Sequence, residues 1–144
     1  MIIKRLISTI IAISTIFCFA LTASAETVTL EGSGITPRYK YAASVSSYLT
    51  INGTTGICDS IGNGMSGVTK IVVTQTIEKH WALGIFIRVD NASWTTTVNS
   101  MFAAVTNKKY NLPTGTYRMV TDFTFYMGNQ SEKITVYSSE EVVS

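Results

Sequence analysis

Tyr110-Asn111-Leu112-Pro113-Thr114-Gly115-Thr116-Tyr117, running on into Arg118-Met119-Val120-Thr121-Asp122-Phe123-Thr124-Phe125-Tyr126-Met127, is the most legible segment of this chain. From Thr116 to Met127 the residues alternate. Tyr117, Met119, Phe123, Phe125 and Met127 fall on one face, the period of a half-buried strand. Gly128-Asn129 then supplies a turn, and Ile134 and Val136 continue the alternation in a last strand.

Working back towards the amino terminus, the same grammar repeats. Ser44 to Ile51 alternates, with Val45, Leu49 and Ile51 on one face, and Asn52-Gly53 closes it with a turn dipeptide. Gly56 to Ile61 is a weaker strand. Val68 to Ile77 is β-branched nearly throughout, with Ile71, Val73 and Ile77 in phase. Trp81, Leu83, Ile85, Ile87 and Val89 alternate as one strand ending at Asp90-Asn91, a phase that puts Trp81 in the core. Ser93 to Val105 is divided: Thr95 to Val98 reads as strand, whereas Met101-Phe102-Ala103-Ala104 is compatible with a helical turn. Short strands, short connections and no repeat predict an all-β sandwich of about seven strands over 38–144.

The turn before the long strand resembles the corner that precedes the penultimate strand of fibronectin type III and immunoglobulin-like domains. In those domains a Leu or Pro and a Gly shape the turn, and a Tyr hydrogen-bonds back onto it. The resemblance implies a structural corner built from Leu112, Pro113, Gly115 and Tyr117. Its physical purpose is clear. Crossing between sheets leaves backbone groups unpaired, and a phenolic hydroxyl can satisfy one while its ring fills the core. Arg38-Tyr39-Lys40-Tyr41, a Gly-bounded strand carrying Cys58, and Lys109-Tyr110 followed by Gly115-Thr116-Tyr117-Arg118 extend the likeness. Together they resemble a family of small secreted proteins of Gram-positive bacteria of unknown function. That family implies an immunoglobulin-like β-sandwich and supplies no catalytic residues. The chain departs from antibody-type domains in having no cysteine pair.

The amino terminus has the three-part build of a secretory signal peptide over residues 1–25. Lys4 and Arg5 precede an apolar run from Leu6 to about Leu21, expected to enter the translocon as a helix. Ala23-Ser24-Ala25 offers the small side chains a signal peptidase needs, placing cleavage before Glu26. The run falls short of the ~20 residues that span a bilayer, and Ser8, Thr9, Ser14 and Thr15 interrupt it. Ile16-Phe17 before Cys18 disfavours lipid attachment. Leu112-Pro113-Thr114-Gly115 lacks the residue between Pro and Thr that a sortase signal has. No membrane anchor is therefore expected after cleavage. Residues 26–37 read as an N-terminal extension or an edge strand.

With Lys4 and Arg5 removed, the nine remaining basic residues balance the nine acids. Nucleic acid is not an expected partner, because phosphate binding needs a clustered basic excess. Lys108-Lys109 is read as a solvated strand end. With Cys18 removed, Cys58 is the one cysteine left, so no intramolecular disulfide can form. A buried thiol is the favoured reading and a link between chains the alternative.

Other motifs dissolve on inspection. Gly62-Asn63-Gly64-Met65-Ser66-Gly67 fits G-x-G-x-x-G, but strand rather than helix follows it, so a flexible hairpin loop is expected. His80 is the one histidine and has no nucleophile in phase with it, which reads as a turn residue. Zinc would want several His or Cys ligands, and His80 and Cys58 do not suffice. No cofactor is expected. Asp59 and Asp122 are the candidate paired carboxylates of a glycosidase, yet Asp122 lies on the outward phase, suited to a cross-strand Lys or Arg. Trp94, following a turn, and Tyr126 are the candidate ligand contacts, since exposed aromatics stack on sugars or dock on proteins.

These readings converge on a secreted binding or adhesion module for an extracellular protein, peptide or glycan, without enzymatic activity. A small secreted hydrolase or enzyme inhibitor is one alternative, and a self-assembling surface protein is another. The export reading has a direct check. N-terminal sequencing of protein from the culture medium is expected to begin at Glu26, and an intact Met1 on a membrane-bound form would refute it.

Overall fold

A computed structural model describes residues 38–144. The signal-peptide helix, the cleavage site at Ala23, Ala25 and Glu26, and the 26–37 segment lie outside the described residues. Among the described residues the chain forms eight strands and no helix: β1 (Ala42–Asn52), β2 (Thr55–Gly64), β3 (Lys70–Ala82), β4 (Ile85–Val98), β5 (Phe102–Lys109), β6 (Gly115–Met127), β7 (Gln130–Tyr137) and β8 (Glu141–Val143). They make two antiparallel sheets in a sandwich-like arrangement. One has the order β1-β2-β5. The other has the order β4-β3-β6-β7, with β8 pairing the start of β6.

Tight turns set the registers. Asn52 pairs Thr55 across a turn in which Gly53 has φ 60, and Met127 pairs Gln130 across one in which Gly128 has φ 59. A positive φ at the first central residue matches the right-handed twist of the flanking strands. The inner faces follow the period of two. Ile71, Val73 and Ile77 of β3 and Tyr117, Met119, Phe123 and Phe125 of β6 are wholly buried. The Phe123 and Phe125 rings stack with centroids 6.2 Å apart.

A polar belt crosses this interior. Gln75 and Thr121, register partners on β3 and β6, are both fully buried. The Gln75 amide donates to the Cys58 carbonyl (3.1 Å), the Val105 carbonyl (3.1 Å) and Ser60 Oγ (2.8 Å). Its Oε1 accepts from Asn107 at 2.7 Å. Thr121 Oγ1 meets Ser47 and Ser60 at 2.8 and 2.9 Å. The belt divides the apolar core into a cluster around Phe123 and Phe125 and another around Cys58, Ile77, Leu112 and Tyr117.

The corner closes the second cluster. Between β5 and β6 the chain crosses from one sheet to the other, and the buried Tyr117 hydroxyl donates to the Pro113 carbonyl at 2.5 Å. The Leu112 N–H donates to the Thr54 carbonyl at 2.9 Å. At the opposite end the Glu132 carboxylate accepts from the backbone N–H groups of Lys40 and Tyr41 at 2.8 and 2.6 Å, tying the entry of β1 to β7.

Three expectations are corrected. Residues 81–89 are not one strand: β3 ends at Ala82, and β4 begins at Ile85 after a Leu83-Gly84 turn. Apolar alternation continues straight through such a turn, so periodicity alone cannot see it. Met101–Ala104 makes no helical turn. β5 starts at Phe102 because Ala103 and Val105 must both face the core. Gly62 and Gly64 belong to strand β2 rather than to a loop. A Cβ at Gly62 would sit 3.0 Å from the Phe123 ring, and one at Gly64 would lie 2.7 Å from Val68, so the glycines admit close packing.

Removing one hydroxyl tests the corner. Tyr117→Phe keeps the ring and leaves the Pro113 carbonyl unpaired, which is expected to cost about 1–3 kcal/mol in urea unfolding. Tyr110→Phe, at an exposed ring, is expected to cost almost nothing. Equal and negligible effects would remove the corner from the account of stability.

Candidate functional site

The feature least explained by folding is the hairpin arm at the end of β3 and the start of β4. β3 pairs with β6 as far as Lys79↔Tyr117, whereas its pairing with β4 continues through His80↔Phe86 to Ala82↔Ile85. The arm therefore projects past the end of β6 as a two-stranded ribbon. Its sequence is Trp81-Ala82-Leu83-Gly84-Ile85-Phe86-Ile87, without a polar side chain. Trp81 is 71% exposed and Leu83 97% exposed, and Ile85 and Ile87 are exposed beside them.

Leu83 and Gly84 have φ 52 and 75, the pair of positive values of a type I′ turn. Asn-Gly or Asp-Gly is the usual choice there, because a left-handed conformation costs a residue like leucine about 1–2 kcal/mol. Folding gains nothing from Leu83, since its side chain is in solvent. Leu83 thus costs backbone energy and exposes apolar surface without a return to folding.

The base of the arm is braced by side-chain contacts. Arg118 forms an ion pair with Glu78 at 2.8 Å, and its guanidinium lies 4.0 Å from the Phe86 ring centroid and 4.6 Å from that of Tyr137. His80 packs edge-on against Phe86 with centroids 5.2 Å apart, and its Nε2 accepts the Gly84 N–H at 3.3 Å. On the other side a shallow concavity of about 330 Å³ lies between the arm and the corner, lined by Lys79, Trp81, Ile87, Arg88, Pro113 and Tyr117 among others. Lys79 Nζ stands 5.6 Å from the Tyr117 ring. Corner and arm thus meet, and the corner residues double as the floor of this concavity.

The aromatics singled out from the sequence lie elsewhere. Trp94 is half-buried against the second core cluster and pairs with Gln75 on the inner face of its sheet. Tyr126 lies on the outer face of the same sheet, with Lys70 Nζ 3.9 Å over its ring. The two do not converge. Trp81, assigned to the core by its phase, is the exposed tryptophan. A strand that outruns its neighbour keeps its phase but loses the sheet that would bury it. Gly84 was the signal in the sequence that a turn interrupts the run.

The titratable candidates also stand apart. Asp59 accepts from Thr106 at 2.5 Å on the outer face of one sheet. Asp122 pairs with Lys133 at 2.9 Å and accepts from Thr135 at 2.6 Å on the outer face of the other. The sandwich separates them, so they do not form a carboxylate pair. Cys58 is buried, and burial first, then the neighbouring Asp59 charge, pushes its thiol up to about 12. It is protonated at neutral pH and shielded from reagents.

Replacing the apex residue separates use from folding. Leu83→Asn creates the preferred Asn-Gly turn and is expected to raise stability by about 1 kcal/mol in urea unfolding. A loss of stability would mean that the Leu83 side chain supports the fold.

Comparison of the chain with protein-family models, with curated proteins and with solved structures finds no match, so the chemistry of this site is read from its own geometry.

Proposed function

We propose that the protein is a secreted extracellular binding module with an immunoglobulin-like β-sandwich, and that it engages its partner through the β3–β4 arm. The strand order supports the fold type. β1, β2 and β5 share one sheet while β3, β6 and β7 share the other, as strands A, B and E and strands C, F and G do in immunoglobulin-like domains, with β4 beside β3. The Tyr117–Pro113 hydrogen bond at the start of the penultimate long strand supports it further. Export is supported by the amino-terminal pattern Lys4-Arg5, apolar run and Ala23-Ser24-Ala25.

The observation that carries the binding role is the exposure of Trp81 and Leu83 on a projecting, well-braced hairpin. Large apolar side chains anchor interfaces because burying them on contact releases water from the most apolar surface available. Rigid presentation lowers the entropic cost of docking.

The test uses the mature chain, Glu26–Ser144, labelled and added to intact cells and to the cell-wall fraction of the producing organism. Trp81→Ser combined with Leu83→Ser is expected to weaken retention by about tenfold or more with an unchanged unfolding midpoint. Equal retention of the double variant and the wild type would overturn the arm as the binding element.

A further inference from the structure

We propose that the surface covering the arm is an anionic phospholipid bilayer, into whose headgroup region the Trp81–Ile87 tip dips. This rests on the reading of the arm as a binding element and names what it binds. The tip is apolar at its apex and along one face. Trp81 and Ile87 face the concavity, Leu83 is the apex and Ile85 is exposed beside it, whereas Phe86, on the opposite side, is covered by His80 and the Arg118 guanidinium. An apolar apex and one flank suit a shallow dip into a bilayer surface.

The tip is also built to leave water cheaply. Its ladder pairs His80↔Phe86 and Ala82↔Ile85, and His80 takes up the Gly84 N–H, so the backbone groups between the two strands are satisfied, while those on the ribbon's outer edges stay at headgroup depth, where water reaches them. A Cβ at Gly84 would meet nothing within 4 Å, which leaves the apex free to be surrounded. Trp81 supplies the amphipathic ring that favours the boundary between headgroups and acyl chains.

Charge selects the kind of bilayer. Lys79 precedes the tip and Arg88 follows it, so cationic side chains bracket the apolar run on both strands. Glu78, the acid on this ribbon nearest the tip, is neutralised by Arg118 at 2.8 Å, and Asp90 lies further back on β4. Basic residues held at headgroup depth attract anionic lipid, and the attraction weakens with salt. The contact is a shallow interfacial one, not a membrane span.

The experiment mixes the mature chain with vesicles of equal parts phosphatidylglycerol and phosphatidylcholine, and separately with phosphatidylcholine alone. Co-sedimentation is expected to show at least about tenfold tighter binding to the anionic vesicles. Tryptophan emission is expected to shift to the blue, with the shift lost in Trp81→Phe, where Trp94 alone reports. Leu83→Asp, at an open position whose turn favours Asp-Gly, is expected to abolish binding with an unfolding midpoint no lower than that of the wild type. Lys79→Glu with Arg88→Glu is expected to remove the anionic preference. Absence of vesicle binding, or vesicle binding unaffected by Leu83→Asp, would overturn the lipid assignment. A concentration-dependent dimer abolished by Leu83→Asp, without vesicle binding, would put a second copy there instead. Arm-dependent retention on cells without vesicle binding would sink the lipid and leave the binding module standing, whereas retention independent of the arm would sink both.

Discussion

The buried amide of Gln75 is the constraint on which this sandwich turns. A primary amide in a dry interior costs stability unless its donors and acceptor are all engaged. Here Nε2 reaches two carbonyls and a hydroxyl on the facing sheet, and Asn107 engages Oε1. Thr121, beside it on β6, takes the hydroxyls of Ser47 and Ser60. A one-residue slip of β3 or of β2 would turn these groups to the wrong face and leave several buried polar atoms without partners. Apolar side chains tolerate small sliding; a hydrogen-bonded belt does not.

Once that register is set, much else follows. The phase of β3 puts Ile71 and Val73 into one core cluster and Ile77 into the other. The same phase carries Lys79 and Trp81 onto the inner side just where β6 ends, so the inner face of β3 emerges from the core into solvent. Tyr117 fills the last covered position, and Lys79 lies over its ring. The exposed apolar arm is thus the continuation of the core pattern past the point where the opposing strand stops. What keeps it from collapsing onto the sheet is the brace at its base, where Arg118 sits against Glu78, Phe86 and Tyr137.

A bulge separates the arm from the rest of β4. Thr76 and Glu78 pair with Ser93 and Arg88, so β4 carries extra residues opposite Ile77, and Asn91 there adopts φ 52. Such an irregularity bends the strand and interrupts an edge that would otherwise invite pairing by another chain. Ala92 from the bulge is buried in the second cluster, which anchors the bend to the core.

Local sequence was enough to determine the all-β class, the long β6 strand with its inward residues, the end of β1 at Asn52 and the Gly128-Asn129 turn, and the outward place of Asp122. Each of these depends on side-chain alternation or on a turn residue's φ preference, both of which are short-range properties. The hydrogen bond from the Tyr117 hydroxyl to the Pro113 carbonyl was legible for the same reason, since the two residues lie close together in the chain. Burial at Trp81 and Trp94, the strand identity of Gly62 and Gly64, and the polar belt around Gln75 were decided only by the tertiary structure. An alternating apolar run states that one face wants covering, but not whether the surrounding sheets extend far enough to cover it. β6 pairs β3 no further than Tyr117, so beyond Lys79 the sheet narrows to the two strands of the arm, and the alternation within the arm carries no sign of that.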